Sequence, residues 1–253
     1  MIKVIAHRGA SGMVGQDNTL ESFQKAIEIG ADMVEFDVRQ TKDKVLIVHH
    51  DKNFADTPIA WQTYSNIEKE AKLRGIHLPL FREVVELCHG KIYMDIEIKE
   101  HGFEKKIVKE LHKLADVSEY SVKSFDDRVP YAIRKLDPEI KTGLLIGGTK
   151  FKLKKRFNEL FPIRRLKACK ADFVSPEVKL LRRWFIKKLK KEGYPIYVWT
   201  VNDKNTIKKL FNKNIDGIIT DRPDIALEIR GTADESIKAS AINNESKSSE
   251  EKA

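Results

Sequence analysis

The sequence contains few cysteines and no long apolar run. Its 253 residues include two cysteines, Cys88 and Cys169, which are too few for a disulfide framework and do not share a metal-ligand spacing. We therefore expect both to be buried thiols. No stretch approaches the roughly 20 apolar residues that a membrane-spanning helix requires. Residues 1–10 also lack the pattern of a secretory signal, and we expect a soluble cytoplasmic protein.

Motifs for binding nucleic acids or nucleotides are scarce as well. The sequence has no helix-turn-helix, zinc-finger or RNA-recognition pattern. Residues 147–150, Gly-Gly-Thr-Lys, suggest a phosphate cradle but lack the spacing of a P-loop. No nucleic-acid partner is therefore expected.

Positive charge is concentrated in one block of the chain. Residues 150–191 contain 16 Lys and Arg against three acidic residues, a net charge of +13, whereas the whole chain carries +9. Phe and Leu are interleaved with Lys and Arg in residues 151–161, a pattern that suits a helix lying on an anionic bilayer. Two interpretations stay open: peripheral contact with the inner face of a membrane through residues 150–191, or an ordinary helix with a solvated basic side.

The last residues differ in composition from the rest of the chain. Residues 232–253 are rich in Ser, Glu, Lys, Asn and Ala and contain no aromatic residue. Such a segment buries too little apolar surface to offset its ordering entropy. The sequence predicts one folded domain over residues 1–231, followed by a disordered polar tail.

Short β-branched runs alternate with amphipathic helical patterns along the chain. This alternation predicts a (β/α)8 TIM barrel, and a doubly wound open sheet is the alternative. One further run, 45–49, follows the second strand after only a short segment that ends in Thr41-Lys-Asp-Lys44. A parallel crossover is longer, so we expect a hairpin there, and then a loop excursion over 51–77. The eight predicted strands are 2–6, 33–38, 92–98, 120–124, 142–146, 171–174, 196–201 and 217–220.

Polar residues collect where the predicted strands end. Residues two apart in a strand share a face, so Glu35 and Asp37 point the same way, as do Glu97 and Lys99. Active sites of (β/α)8 barrels form at the carboxyl ends of the strands. We therefore expect one mouth of the barrel to gather these residues. The other polar residues at strand ends are His7, Arg8, His50, Asp51, Trp199 and Asn202.

Three of these residues suit a metal ion. Carboxylates at Glu35, Asp37 and Glu97 would repel one another if they converged without compensating charge. They are hard oxygen ligands, which favour Mg²⁺ or Ca²⁺ over zinc. The alternative is a buried ion-pair network with Lys99, Arg8 or another base. A glycosidase pair of carboxylates is a further option, although it would not explain the adjoining histidines.

The remaining residues suit phosphate chemistry. Arg8 and Lys99 at the same mouth would neutralise a bound phosphate. His7 and His50 belong to different elements and would flank the cavity. An in-line displacement at phosphorus needs one group that takes a proton and one that supplies it. Which histidine would have which role is left open.

Taken together, the motifs resemble the glycerophosphodiester phosphodiesterase family. The resemblance extends from residue 4 to about 229, and its strength lies in the order of the motifs. It implies a TIM-barrel enzyme that hydrolyses glycerophosphodiesters to glycerol 3-phosphate and an alcohol with one divalent cation. The matching motifs are His7-Arg-Gly9, Asn18-Thr19, Glu35-Phe-Asp37, Thr41-Lys-Asp43, His50-Asp51, Glu97-Ile-Lys99, Ser124-Phe125, Trp199-Thr-Val-Asn202 and Thr220-Asp-Arg-Pro223.

The resemblance also implies roles for individual residues. Two histidines would act as acid and base, and the nucleophile would be water or the neighbouring glycerol hydroxyl. Trp199 would pack on the glycerol moiety or, alternatively, line the barrel core. The implied assignments are metal ligands at Glu35, Asp37 and Glu97, catalytic residues at His7 and His50, and substrate contacts at Arg8, Lys99, Asn18 and Trp199.

Two departures from the family pattern bear on the substrate. Where the family usually has Pro-Glu-Asn-Thr, this chain has Gln16-Asp-Asn-Thr19, so that Asp17 is one methylene shorter than the usual glutamate. Asp17 and Asn18 could instead cap the following helix. The segment after Asp51 has no glycine, although the family is usually glycine-rich there. Two alternatives remain: a lysophospholipase D acting on membrane lysophospholipids, and a non-enzymatic barrel that binds polyanions.

Overall fold

Eight parallel strands form a nearly closed barrel in the computed structural model, which describes residues 1–148, 159 and 161–232. The predicted (β/α)8 fold is thus confirmed, and the alternative of an open doubly wound sheet is wrong. The strands are β1 (Lys3–His7), β2 (Met33–Gln40), β3 (Leu46–Val48), β4 (Asn53–Phe54), β5 (Thr57–Pro58), β6 (Tyr93–Ile98), β7 (Tyr120–Ser124), β8 (Lys141–Ile146), β9 (Phe173–Pro176), β10 (Tyr197–Val198) and β11 (Gly217–Thr220).

The parallel strands follow the order β10-β11-β1-β2-β6-β7-β8-β9, and single bridges join β9 to β10. Strand β10 is shorter than the predicted run 196–201. Pro176 and Pro195 flank this seam, and since proline has no N–H the ladder loses donors there. The amide of Trp199 still donates to the carbonyl of Pro176 at 3.1 Å, which holds the seam together.

Helices surround the barrel, and most of them bury one face. The helix at Phe81–Cys88, for example, buries Phe81, Val84, Val85 and Cys88, which is the spacing of a single helical stripe. The helices are α1 (Ser11–Val14), α2 (Leu20–Glu28), α3 (Tyr64–Leu73), α4 (Phe81–Cys88), α5 (Glu104–Leu114), α6 (Arg128–Leu136), α7 (Ile163–Cys169), α8 (Arg183–Lys191), α9 (Lys204–Phe211) and α10 (223–232), with 3₁₀ turns at Ile59–Trp61, Val117–Glu119 and Val178–Leu180.

Two apolar clusters fill the space between the strands and the helices. One packs α2, α4, α5 and α6 against the sheet, and the other packs α7, α8, α9 and α10. Cys88 lies in the first cluster and Cys169 in the second, and both thiols are free and buried as expected. The core therefore lies outside the strands, which leaves the barrel interior to other side chains.

The second strand carries the predicted hairpin. Strand β3 pairs antiparallel with β2, with Val48 opposite Val38. The excursion that follows contains the β4–β5 hairpin and α3, and it has a small core of its own that includes Ile47, Phe54 and Ile67. These additions bring His50 back to the carboxyl end of β2.

Parts of the chain with sequence predictions lie outside the described residues. They include 149–158 and 160 in the basic block, and the segment 233–253 of the predicted tail. Membrane contact through 150–191 and disorder of the tail therefore stay predictions. Within the described part of the chain, none of the helices has both the length and the apolar character needed to cross a bilayer.

Candidate active site

One pocket at the carboxyl ends of the strands brings together most of the predicted site residues. The register sets His7 beside Glu35, and Asp37 beside Glu97. Both predicted histidines line the same pocket although they come from different elements. The residues that line it are His7, Arg8, Glu35, His50, Glu97, Lys99, Lys123, Phe125, Leu145, Trp199, Thr200 and Ile219.

Three buried carboxylates form a compact acidic cluster in this site. Glu35, Asp37 and Glu97 each offer an oxygen, and these oxygens all lie within 4.8 Å of one another. All three side chains are buried. A set of hard oxygen donors at this spacing fits a divalent cation such as Mg²⁺ or Ca²⁺.

Cations are interleaved with the carboxylates. The Lys99 ammonium lies 2.6 Å from Glu97 Oε1 and 3.1 Å from Asp37 Oδ1. Arg8 Nε lies 3.2 Å from Asp37 Oδ2. The ion-pair network considered as the alternative to a metal site is therefore present, so the two interpretations are not exclusive.

The pairing does not compensate every carboxylate equally. Burial would raise the pKa of Asp37, but Lys99 and Arg8 hold this pKa well below its ordinary value. Burial raises the pKa of Glu97 to about 7, and the neighbouring Asp37 carboxylate adds to the rise. The negative charge at Glu97 is thus under-compensated, which is the condition that a bound cation would relieve.

A second buried ion pair lies beneath the cluster and was missed in the sequence. Lys123 Nζ lies 2.6 Å from Asp95 Oδ2 and 3.4 Å from Glu35 Oε1, and both Lys123 and Asp95 are fully buried. Asp95 shares its strand face with Glu97 by the same spacing of two. The sequence did contain a signal for this ion pair, because Lys123 is a charged residue inside the apolar run of β7.

Asn18 lies beside a carboxylate of the cluster. Its side-chain amide donates to Asp37 Oδ2 at 2.9 Å, and its amide oxygen accepts the backbone N–H of Asp37 at 3.3 Å. The cap of α2 is Thr19, whose hydroxyl accepts the N–H of Ser22 at 3.1 Å. The alternative that Asp17 and Asn18 cap this helix is therefore wrong.

The shorter acid at position 17 still reaches the site. Asp17 Oδ2 accepts a hydrogen bond from Arg8 Nη1 at 2.6 Å. The backbone at Arg8 has a φ of 55°, and the next residue, Gly9, has a φ of 80°. A Cβ at Gly9 would collide with Ser22, so only glycine fits where the chain turns Arg8 into the pocket.

The two histidines have different surroundings. His7 Nδ1 lies 2.6 Å from Asp221 Oδ1, and its Nε2 lies 3.9 Å from Glu35 Oε2. His50 Nδ1 lies 2.8 Å from Asp51 Oδ1, and the backbone carbonyl of His50 accepts a hydrogen bond from Arg39 Nε at 3.0 Å. The His7 side chain is 16% exposed and that of His50 is 39% exposed. One histidine is therefore enclosed and the other faces solvent.

Two aromatic rings form a wall of the same pocket. Trp199 meets Phe125 edge to face, with the ring centroids 5.4 Å apart. Its indole N–H donates to the carbonyl of Ser175 at 2.7 Å, which fixes the ring. Gly147, with a φ of 124°, packs directly against Glu177, and a Cβ at this position would collide with the Cβ of Glu177. The wall is thus a fixed ring that is closely packed against its neighbours.

The fold and the site together define a TIM-barrel protein with an acidic, phosphate-suited pocket at the carboxyl ends of its strands. The sequence model of the Glycerophosphoryl diester phosphodiesterase family matches residues 7–225. The chain belongs to this family, which confirms the resemblance noted in its motifs.

Individual relatives match along nearly the whole chain. YhdW of Bacillus subtilis (strain 168) is 32% identical over 241 residues, which cover 89% of this chain and 96% of that protein. The glycerophosphodiester phosphodiesterase of Caldanaerobacter subterraneus subsp. tengcongensis is 29% identical over 244 residues, with coverage of 89% and 96%. The crystal structure of a glycerophosphodiester phosphodiesterase from Thermotoga maritima superposes with a TM-score of 0.73 at 28% identity, and covers 91% of this chain and 98% of that chain.

Proposed function

We propose that the protein hydrolyses glycerophosphodiesters to glycerol 3-phosphate and an alcohol. The observation that carries this proposal is the convergence of an acidic cluster, basic side chains and two histidines at one pocket of a chain that belongs to the family. Each group suits a different part of a phosphodiester and of its cleavage. A barrel that only binds polyanions would not need buried carboxylates at its centre.

We assign Glu35, Asp37 and Glu97 as the residues that would hold one divalent cation, Mg²⁺ or Ca²⁺. When bound, such a cation supplies Lewis-acid stabilisation of charge on the phosphoryl oxygens. Asn18 supports this set from behind, because both polar atoms of its amide are used on Asp37. Its role in our proposal is therefore to orient Asp37, and contact with the substrate is secondary.

Arg8 and Lys99 are assigned to the phosphate. An ammonium has three donors, and Asp37 and Glu97 account for two of those on Lys99. The third has no partner among the described residues and can meet a phosphoryl oxygen in the pocket that Lys99 lines. Arg8 is held by Asp17 and Asp37, so its guanidinium has a fixed direction before the substrate arrives.

His7 and His50 are assigned to proton transfer. One would take the proton of the nucleophile, and the other would supply a proton to the leaving alcohol. Attack by water gives glycerol 3-phosphate directly, whereas attack by the glycerol hydroxyl passes through a cyclic phosphate that water then opens. Trp199 would pack against the carbon chain of the glycerol moiety.

The test is to incubate the purified protein with glycerophosphocholine, glycerophosphoethanolamine and lysophosphatidylcholine, each with Mg²⁺, Ca²⁺ or EDTA. Glycerol 3-phosphate and lysophosphatidate are measured separately, with the Glu97→Gln variant as the control for contaminating enzymes. Cation-dependent release of glycerol 3-phosphate is expected. Lysophosphatidate as the sole product would replace the proposal with the lysophospholipase D reading, and no product with any cation would overturn both.

A further inference from the structure

We propose that Asp221 is a positioning residue that fixes the ring of His7 with Nε2 toward the pocket, and that Asn202 holds Asp221 in place. This inference deepens the proposed function and rests on it. It gives a role to Asn202 and Asp221, which belong to the motifs at residues 199–202 and 220–223 and which the proposed function leaves without one.

The first step is the direction of the His7 ring. Its Nδ1 lies 2.6 Å from a carboxylate oxygen of Asp221, which cannot donate. Nδ1 must therefore carry the hydrogen, and Nε2 of the neutral ring keeps its lone pair. Nε2 is the nitrogen on the side of Glu35, so the free lone pair faces the acidic cluster.

The second step is the support of Asp221 itself. The side-chain amide of Asn202 donates to Asp221 Oδ2, and its oxygen accepts the backbone N–H of Asp221 at 2.9 Å. The hydroxyl of Ser11 donates to Asp221 Oδ1 at 3.3 Å. Asn202 thus holds both the main chain and the carboxylate of Asp221, which leaves this residue little freedom to turn away.

The third step is the close packing of the chain around this support. The backbone N–H of Gly12 donates to the carbonyl of Asp221 at 2.9 Å. A Cβ at Gly12 would lie 2.6 Å from that oxygen, so the approach requires glycine. The segment after β1 and the segment after β11 are therefore joined directly beside His7.

His50 offers the internal comparison. Its carboxylate partner, Asp51, is the adjacent residue in the chain, and the Asp51 side chain is 75% exposed. An exposed carboxylate on the adjacent residue constrains the imidazole ring weakly. A carboxylate that comes from another strand end and is itself held by hydrogen bonds constrains the ring more strongly. We therefore assign a fixed direction to His7 and an adjustable one to His50.

The experiment compares Asp221→Asn with the matched variant Asp51→Asn. Steady-state kinetics with glycerophosphocholine and Mg²⁺ give kcat and KM, and ¹⁵N NMR of histidine-labelled protein without added metal reports the His7 tautomer. We expect Asp221→Asn to lower kcat on the order of 100-fold with little change in KM, because substrate binding does not use Nδ1. The NMR signals of His7 should change from one tautomer to a mixture, while Asp51→Asn should lose less than about tenfold in kcat.

A third variant covers the case in which Asp221→Asn does not fold. Asn202→Ala leaves the carboxylate in place but unsupported, and we expect an intermediate loss of kcat, on the order of tenfold, with partial mixing of the His7 tautomers. Equal losses in the Asp221 and Asp51 variants together with an unchanged His7 tautomer would overturn the inference. If the wild-type protein cleaved none of the substrates, the proposed function would fail, while the tautomer of His7 would still decide the inference about Asp221.

Discussion

The two halves of the barrel interior share one architecture but carry different side chains. Strands β1, β2, β6 and β7 carry ionisable residues toward their carboxyl ends, at the candidate site, whereas β8, β9, β10 and β11 present mostly small, aliphatic and aromatic side chains. The charged half consists of His7, Glu35, Asp37, Asp95, Glu97, Lys99 and Lys123, and the aromatic half of Gly143, Leu145, Phe173, Ser175, Tyr197, Trp199 and Ile219.

The comparison shows that each half meets a different physical requirement. Buried charges are costly unless they are paired, and the charged half pairs them across strands, as Lys123 does with Asp95. The aromatic half depends on shape. Gly143, for instance, leaves the space that the ring of Phe173 occupies. Our proposal therefore assigns chemistry to one side of the pocket and substrate fit to the other.

The largest expected effect is the loss of a carboxylate from the charged half. Glu35→Gln should lower kcat/KM for glycerophosphocholine on the order of a thousandfold or more, since it removes a proposed cation ligand. Tyr197→Phe, which removes a hydroxyl from the aromatic half, should leave kcat/KM within about threefold. Comparable losses in the two variants would break the division between the halves.

The next effect concerns stability. Lys123→Met should lower the free energy of unfolding by about 3 kcal/mol, because it leaves the Asp95 carboxylate buried without its partner. In the aromatic half, Ser175→Ala should be close to neutral, since the Ser175 hydroxyl has no hydrogen-bond partner among the described residues. Urea unfolding followed by circular dichroism measures both. A smaller loss in Lys123→Met than in Ser175→Ala would contradict this account of the two halves.

A smaller effect separates binding from chemistry. Trp199→Leu should raise KM about tenfold and leave kcat within about threefold, because the indole contributes packing and takes no part in proton transfer. Initial rates over a range of glycerophosphocholine concentrations give both constants. A fall in kcat as large as that of Glu35→Gln would place Trp199 in the reaction itself.

The smallest effect concerns the two apolar clusters that lie between the strands and the helices, one behind each half of the barrel. Burial raises the pKa of Cys88 to about 12 and that of Cys169 to about 11. At pH 8 both thiols are protonated in the folded protein, so alkylation by iodoacetamide should be slow. Its rate should increase about tenfold for each unit by which the pH is raised, as long as the pH stays below these pKa values. Mass spectrometry should find Cys169 labelled before Cys88. Rapid labelling of Cys88 without denaturant would show that the first core is open.

The barrel was predictable because its strands are short apolar runs at regular intervals. Strands 120–124 and 217–220 were placed to the residue. Strand β9 begins two residues later than predicted, because the amide of Ala171 still bonds to Leu166 at the end of α7. The apolar pattern alone does not show which residue makes the last hydrogen bond of a helix.

The candidate site was predictable where two residues of one strand share a face. The pairs Glu35 with Asp37 and Glu97 with Lys99 could be found in this way, and they lie together in the structure. The partners of Lys123 and Asp221 could not be predicted, because a single charged residue in or after an apolar run gives no indication of what it contacts. Their contacts depend on the register between strands, which the sequence does not contain.

The central claim is that the charged half binds one divalent cation at Glu35, Asp37 and Glu97. The most direct test is titration of the purified protein with Mn²⁺ by electron paramagnetic resonance, with Mg²⁺ and Ca²⁺ as competitors, in the wild type and in Glu97→Gln. We predict one Mn²⁺ per chain in the wild type, displaced by the competitors, and affinity weaker on the order of 100-fold in Glu97→Gln. Absence of binding in the wild type, or equal affinity in the variant, would show that the cluster is an ion-pair network only.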